Sequence, residues 1–210
     1  VWVGDYMFED KNNDGVIDEN DRSFIGNPEP KFTFGFSNTF TYKNFDLNIF
    51  INGVYGNKIY NMLRQNYTNP MNNSGLLKEA TRIAVLELID PNGAADDITN
   101  VRVKNSDASV QRINITDANN NNRMSDRFVE DGSYLRIKNV SLGYTFPKSL
   151  LTKFNIENLR IYANVQNLYT FTDYSGYDPE VGSYNVLLRN IDNARYPSQR
   201  IFTFGANLTF

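Results

Sequence analysis

An acidic loop early in the sequence has the residue types and spacing of a calcium site. The stretch D-K-N-N-D-G-V-I-D-E-N-D carries oxygen-bearing side chains at positions 1, 3, 5, 9 and 12, and glycine at position 6. Calcium prefers about six to eight oxygen ligands, and the glycine permits the sharp turn that wraps them around one ion. Position 7 would contribute its backbone carbonyl oxygen. The predicted ligands are Asp10, Asn12, Asp14, Val16, Asp18 and Asp21.

Two features limit what this loop can do. Asp21 stands where such loops usually have a longer, bidentate glutamate, so we expect weaker binding. The loop occurs once, and no helical pattern precedes it, so a paired calcium sensor is not expected. We predict a structural Ca²⁺ ion, and the alternative is an acidic, asparagine-rich turn that binds no ion.

No other group of residues predicts catalysis. The chain has no histidine and no cysteine, which excludes Ser-His-Asp and Cys-His sites and the usual zinc sites. The net charge is -3 and the basic residues are scattered, so no nucleic-acid partner is expected. We therefore expect a protein that is not an enzyme. Carboxylates do cluster in two predicted loops, where solvated acids are the simplest interpretation: Asp126, Glu130, Asp131, Asp173, Asp178 and Glu180.

Five segments of the sequence alternate between apolar and polar side chains, and they would form the framework that positions the loops. They cover residues 32–42, 45–55, 134–146, 158–168 and 200–210. Alternation at every second residue is the pattern of a β-strand with two different faces, and about ten residues cross a bilayer as a tilted strand. No run approaches about 18 consecutive apolar residues, the length of a transmembrane helix. The pattern favours an all-β transmembrane barrel over a soluble sandwich in which the apolar faces pack together.

The connections between the segments alternate between short and long. Residues 43–44 and 147–156 are short, whereas 56–133 and 169–199 are long. Outer-membrane barrels have short periplasmic turns and long extracellular loops. We therefore divide the chain into an extracellular segment, 1–31, and barrel strands with their loops, 32–210. Short helices are expected within the long loop at 59–66 and 76–89, and the polar run 119–122 is expected to be mobile.

This topology assigns two further groups of residues. The polar faces of the second and fourth strands would line a watery lumen and the path of a cargo: Asp46, Asn48, Asn52, Arg160, Tyr162, Asn164 and Gln166. Aromatic rings of the last loop could stack on a ligand or pack against neighbouring segments: Tyr169, Tyr174, Tyr177 and Tyr184.

Several stretches resemble the C-terminal part of SusC/RagA-type TonB-dependent outer-membrane transporters. They include D-K-N-N-D-G-V-I-D-E-N-D-R with the following I-G-N-P-E-P-K-F-T-F-G-F, and S-D-R-F-V-E-D-G-S-Y-L-R-I-K-N-V-S-L-G-Y-T-F-P. L-R-I-Y-A-N-V-Q-N-L-Y-T-F-T-D-Y-S-G-Y-D-P-E and the last strand are similar to the same family. The similarity covers most of the chain and leaves 76–119 unplaced.

The resemblance implies a plugged antiparallel barrel of about 22 strands in the bacterial outer membrane. This chain would supply the last strands, with the other strands, the plug and the TonB-engaging segment lying upstream. The implied partners are a SusD/RagB-like surface lipoprotein, the TonB complex and outer-membrane lipid. The implied cargo is a nutrient such as an oligosaccharide or peptide. Two alternatives are a secreted, calcium-stabilised β-sandwich acting as a binding or scaffold module, and a passive porin, which a plug would argue against.

Overall fold

The computed structural model describes residues 1–72, 75–182, 185 and 188–210. The chain forms two compact units that interleave along the sequence. The loop unit contains Val1–Gly26 and Tyr60–Val129, and the sheet unit contains Asn27–Ile59 and Glu130–Phe210. The sequence suggested one division at residue 32. The units interleave instead because the long connection packs with residues 1–26.

The described residues form ten strands and two short α-helices. The strands are β1 (Phe32–Tyr42), β2 (Phe45–Tyr55), β3 (Lys58–Asn61), β4 (Leu86–Leu88), β5 (Val101–Val103), β6 (Val129–Asp131), β7 (Tyr134–Thr145), β8 (Asn158–Thr172), β9 (Ile191–Asp192) and β10 (Ile201–Thr209). The helices are α1 (Met62–Thr68) and α2 (Lys148–Leu151). No helix in the described ranges is both long and apolar enough to span a membrane.

Five long strands build the sheet unit as an antiparallel sheet in the order β1-β2-β7-β8-β10. Strands β1 and β2 have the predicted bounds and are joined by Lys43-Asn44, with Lys43 at a φ of 53°. Strand β8 runs past the predicted end at residue 168 to Thr172, because residues 169–172 continue to pair with β7. The last strand is one residue shorter at each end than predicted.

A β-bulge at Lys138 explains why β7 changes its alternation. Along β2, the pairing moves from Asn139 directly to Ile137, so Lys138 is an extra residue in β7. The bulge places Arg136 on the polar face although it shares sequence parity with the apolar Val140. In the sequence, a bulge or emergence from the membrane could explain this mismatch, and the structure shows a bulge.

The apolar face of the sheet is exposed. Phe36 is 56% exposed on β1, and Phe202 and Phe204 are 60% and 80% exposed on β10. A β-sandwich would bury these rings against a second sheet. No second sheet covers this face in the part of the chain that the structure describes.

Short elements make up the loop unit. Its core includes Tyr60 and Phe128, whose rings meet edge-on at 6.3 Å. Helix α1 covers Met62–Thr68, whereas the sequence predicted a helix at 59–66. It begins at Met62 because the Asn61 side chain accepts a hydrogen bond from the Arg64 amide and caps the helix there.

The second predicted helix, 76–89, is wrong. A short 3₁₀ turn covers Lys78–Arg82, and Leu86–Leu88 forms β4, which pairs with β5. The aliphatic residues at 86, 88, 101 and 103 alternate on both short strands, and this pairing outweighs the weak helical spacing.

The asparagine-rich run at 119–122 is ordered. Asn121 is 1% exposed, its Oδ1 accepts the Tyr6 amide at 2.9 Å, and its Nδ2 donates to Asp117 and Asp5 at 2.8 and 3.2 Å. The expectation that this run is mobile is therefore wrong, because one asparagine satisfies three polar groups in the interior of the loop unit.

Candidate functional site

The polar face of the five-stranded sheet carries all seven residues that the sequence assigned to a lumen. Cross-strand pairing aligns them in rows, with Asp46 and Tyr162 on either side of Gly143, and Asn48 and Asn164 on either side of Ser141. The seven residues are Asp46, Asn48, Asn52, Arg160, Tyr162, Asn164 and Gln166.

An ion pair crosses three strands on this face. Arg160 on β8 binds Asp46 on β2 through two bonds, Nε to Oδ1 at 3.1 Å and Nη2 to Oδ2 at 2.6 Å. Gly143 on the intervening strand makes the contact possible, because a Cβ there would overlap both side chains. The guanidinium also lies 5.3 Å from the centre of the Tyr162 ring. The pair presents a fixed, overall neutral polar patch.

A second arginine, which sequence reasoning missed, joins the last loop to the sheet. Arg136 is 2% exposed and donates to Thr170 at 2.8 Å, to Glu180 at 2.7 Å and to Asp178. Lys138, the bulged residue, also donates to Glu180, at 2.9 Å. The shifted parity of Arg136 was the available signal, because a bulge aims that side chain at the polar face.

Asp178 also ties the loop to the residues before β10. Its two oxygens accept the backbone amides of Glu180 and Ser198 at 2.9 and 2.8 Å. Burial alone would raise the pKa of Asp178, but these amides and Arg136 lower it below its ordinary value. Asp178 is thus an ionised structural acid.

The predicted loop aromatics have different environments. Tyr174 is 5% exposed and donates to Asp192 at 2.6 Å, and its burial raises the pKa of the phenol. It is a core residue, so it takes the second of the two roles that the sequence left open and packs against neighbouring segments. Tyr169 lies in β8 on the apolar face, 4.6 Å from the Phe171 ring, because β8 is longer than expected. Tyr177 is 69% exposed and remains available for contact. Tyr184 lies outside the described residues.

Two of the remaining acids, Glu130 and Asp131, form structural hydrogen bonds. Glu130 accepts the amide and hydroxyl of Ser175 at 2.9 and 2.8 Å. Asp131 binds Lys58 at 3.1 Å. Burial would raise the pKa of Asp131, yet bonds from Ser133 and Lys58 hold it below the ordinary value. These carboxylates stabilise loops, and each one described here already has a donor.

The acidic loop folds back on its own backbone amides. Asp10 accepts the amides of Asp14 and Gly15 at 3.3 and 2.8 Å, and Asp21 accepts those of Lys11 and Asp18 at 2.8 Å each. The hydrogen bonds from Asp18 and Lys11 lower the pKa of Asp21. Gly15 adopts a φ of 83°, which supports the predicted need for glycine at the turn.

The donor set of this loop has the chemistry of a calcium site, although its carboxylates do not converge. Four aspartates, one asparagine and one backbone carbonyl supply hard oxygen atoms. Within the described ranges, however, no three acidic side chains approach closely enough to hold a metal ion. Binding would therefore require the carboxylates to turn from the amides toward one centre.

The chain is similar to several TonB-dependent receptors. It is 37% identical over 213 residues to TonB-dependent receptor P3 of Formosa agariphila, which covers 99% of this chain and 19% of that receptor. It is 29% identical over 205 residues to TonB-dependent receptor SusC of Bacteroides thetaiotaomicron, which covers 97% of this chain and 17% of that receptor. No protein-family model matches the sequence.

A solved structure, that of the RagAB peptide transporter, has a similar fold. It aligns with a TM-score of 0.63 and 24% identity over 89% of this chain and 17% of the transporter chain. The sequence therefore spans about a fifth of the length of the curated relatives that it matches. The names of these relatives describe receptors, and none of them names a catalytic activity.

Proposed function

We propose that this chain, which is homologous over nearly all of its length to TonB-dependent receptors of the SusC/RagA type, is part of an outer-membrane transporter. It would form barrel wall and outer loops, and the transporter would import a nutrient across the bacterial outer membrane. The observation that carries this proposal is the 99% coverage of the chain at 37% identity to one such receptor. The complete barrel would have about 22 strands around a plug.

The two faces of the sheet support the membrane part of the proposal. The exposed apolar face would be costly in water over so large an area and would be stabilised by lipid. Aromatic rings cluster at both ends of this face, with Phe32 and Tyr55 stacked at 5.2 Å and Phe45 and Tyr144 at 4.6 Å. Such rings favour the boundary between lipid and water. The chain would cross the membrane with the long strands of its sheet unit.

The polar face would line the cargo path. The Asp46–Arg160 pair leaves no uncompensated charge at its position, and Asn48 is held by Thr39 at 2.8 Å. Amide and hydroxyl groups at this density suit a polar, largely neutral cargo such as an oligosaccharide or a peptide. Tyr177, exposed on the last loop, would add a ring for stacking.

The partners of this transporter are proposed from its relatives. A SusD/RagB-like surface lipoprotein would cover the outer end of the barrel, as suggested by the similarity to RagAB and SusC. The TonB complex would supply energy, as suggested by the receptor names. A transport function of this kind needs no catalytic residue, in agreement with the acids that the structure occupies with hydrogen bonds.

The test of the proposed function is the behaviour of the gene product that carries this sequence. We expect it in the outer-membrane fraction, with a gel mobility that shifts when the sample is boiled in detergent, and we expect uptake of its cargo to stop when TonB is deleted. Recovery in the soluble fraction without a heat shift would contradict the barrel. A heat shift combined with uptake that is independent of TonB would favour a porin.

We also propose that the acidic loop binds Ca²⁺ in a structural role. The supporting observations are the oxygen-rich donor set and Gly15, which already adopts the turn that such a loop requires. Asp10→Ala should abolish Ca²⁺ protection of this segment against proteolysis, whereas Glu19→Ala, which removes an acid from a position that is not a predicted ligand, should not. Equal protease sensitivity with Ca²⁺ and with chelator would contradict the proposal.

A further inference from the structure

A groove on the apolar face lies at the end of the sheet where the long loops begin. It has a volume of about 420 Å³ and is bounded on one side by Phe32 and Tyr55 and on the other by Leu135 and Phe171. Phe34 also lines it. These five side chains are between 37% and 54% exposed, so the apolar walls are accessible. We refer to this feature as the rim groove.

The floor of the rim groove depends on a glycine. Gly53 on β2 pairs with Phe34 on β1, and a Cβ at Gly53 would lie 2.5 Å from two carbon atoms of the Phe34 ring. The ring can therefore lie over the strand backbone, where a side chain on residue 53 would otherwise stand. The result is an apolar channel between the stacked Phe32–Tyr55 pair and the side chains of β7 and β8.

One end of the groove is polar. Ser133, Thr172 and Asp173 line it there. Asp131 at the same end is already neutralised by Lys58 at 3.1 Å. The groove thus joins an apolar channel to a group of hydroxyl and carboxylate oxygens, as an amphipathic molecule would require.

A cation without a carboxylate partner stands beside the Tyr55 wall of the groove. The Lys31 Nζ lies 5.9 Å from the centre of the Tyr55 ring and forms no ion pair among the described residues. A lysine ammonium that has no counter-charge at the boundary of an apolar surface is suited to a phosphate group. The opposite end of the hairpin has a similar contact, with Lys43 5.3 Å from the Tyr42 ring, but Tyr42, unlike Tyr55, does not line the rim groove.

We propose that the rim groove binds one acyl chain of a phosphorylated glycolipid, with the phosphate at Lys31 and the sugar hydroxyls at Ser133 and Asp173. The inference rests on the proposed function, because it requires this face to meet lipid. The continuity of the groove with the exposed apolar face argues for a membrane lipid. The oxygen-rich end and the unpaired lysine argue for a sugar and a phosphate on its head group.

The experiment measures the lipid that the purified gene product retains. Protein extracted from outer membranes in mild detergent is washed extensively, and bound glycolipid and phospholipid are quantified by mass spectrometry. We expect about one glycolipid for each wild-type molecule. Leu135→Trp should fill the channel and Lys31→Gln should remove the phosphate contact. Each should reduce retention about tenfold, which for Leu135→Trp is equivalent to losing the burial of about two methylene groups.

Two matched variants control for general effects. Leu142 lies on the same strand and the same face but outside the groove and is 48% exposed, so Leu142→Trp should retain the wild-type amount. Lys43→Gln should do the same at the opposite end of the hairpin. If Leu135→Trp does not assemble, Lys31→Gln and its control still decide the question, because Lys31 is an exposed side chain.

Each outcome bears on the inference separately from the transporter proposal. Equal retention by Lys31→Gln and Lys43→Gln, retention of phospholipid instead of glycolipid, or absence of bound lipid from wild type would overturn it. All three leave the barrel intact if the protein remains in the outer membrane with its heat shift. A protein that is absent from the outer membrane would overturn both proposals.

Discussion

Replacing Arg136 with methionine should release the last loop from the sheet. Methionine preserves much of the aliphatic volume but removes every donor of the guanidinium. The change therefore leaves Asp178 and Glu180 without the cation that lies between them, at a position where the arginine side chain is 3% exposed. The loop would lose its main polar contact with β7.

The free-energy cost of this substitution depends on which hydrogen-bond partners Asp178 and Glu180 keep. Removing one member of a buried ion pair costs about 3–5 kcal/mol. We expect about 3 kcal/mol, the lower end, because Asp178 keeps the amides of Glu180 and Ser198 and Glu180 keeps Lys138. A local opening that is easier by this amount exchanges its amide hydrogens roughly a hundredfold faster.

Hydrogen–deuterium exchange with mass spectrometry on the purified gene product would read this opening directly. Peptides that contain the Ser198 amide should exchange about a hundredfold faster in Arg136→Met, whereas peptides from β1 and β2 should be unchanged. The amide of Ser198 is informative because it donates to Asp178 at 2.8 Å.

Arg160→Met is the matched control. The Arg160–Asp46 pair has side chains that are 28% and 33% exposed, and pairs of this kind contribute about 0.2–1 kcal/mol. We expect at most about a fivefold change in exchange near Asp46. An increase below about threefold at Ser198 in Arg136→Met, or an equal effect of both arginine substitutions there, would refute the reasoning.

Three further predictions follow from the same contacts. Protection of the Ser198 amide should persist at pH 5 and decline as the pH falls below about 4. The pKa of Asp178 is lowered from 3.8, so its contribution to stability is present above that value and is lost as the carboxyl of the folded protein becomes protonated. Hydrogen exchange, corrected for its intrinsic pH dependence, checks this. Gly143→Val should separate Asp46 from Arg160, cost about 1–3 kcal/mol and lower the temperature of the gel-mobility shift, whereas Ser141→Ala should not. Asn121→Ala should cost about 2–3 kcal/mol in the loop unit, because the Tyr6 amide loses its buried acceptor, and limited proteolysis should cut this region faster than in Asn92→Ala.

The strands of the sheet were predictable because one physical rule dominates them. A strand with two different faces must alternate, so β1 and β2 could be bounded to the residue from sequence. The same rule placed Asp46 and Arg160 on one face, but not in contact. Their ion pair joins β2 to β8 across β7. It depends on the absence of a side chain at Gly143, which lies on β7 between them.

The loops were less predictable because contacts of single side chains determine their conformation. Helical spacing at 76–89 is a weak signal, and the pairing of β4 with β5 outweighs it. Asn121 reads as part of a low-complexity run, although it is the interior hydrogen-bonding centre of the loop unit. The sequence left the role of Tyr174 open between ligand contact and packing, because its hydrogen-bond partner Asp192 lies 18 residues further on. Contacts over such separations leave no periodic pattern.

The central claim is that the two faces of the sheet meet lipid and water, and spin labels on β7 test it most directly. Single labels at residues 139, 140, 141 and 142 would be introduced into the gene product, with other cysteines removed, and measured in lipid bilayers. We predict that labels at 140 and 142 collide mainly with oxygen dissolved in lipid, and that labels at 139 and 141 collide mainly with a water-soluble nickel complex. Equal access of the nickel complex to all four positions, or the reverse alternation, would contradict the account.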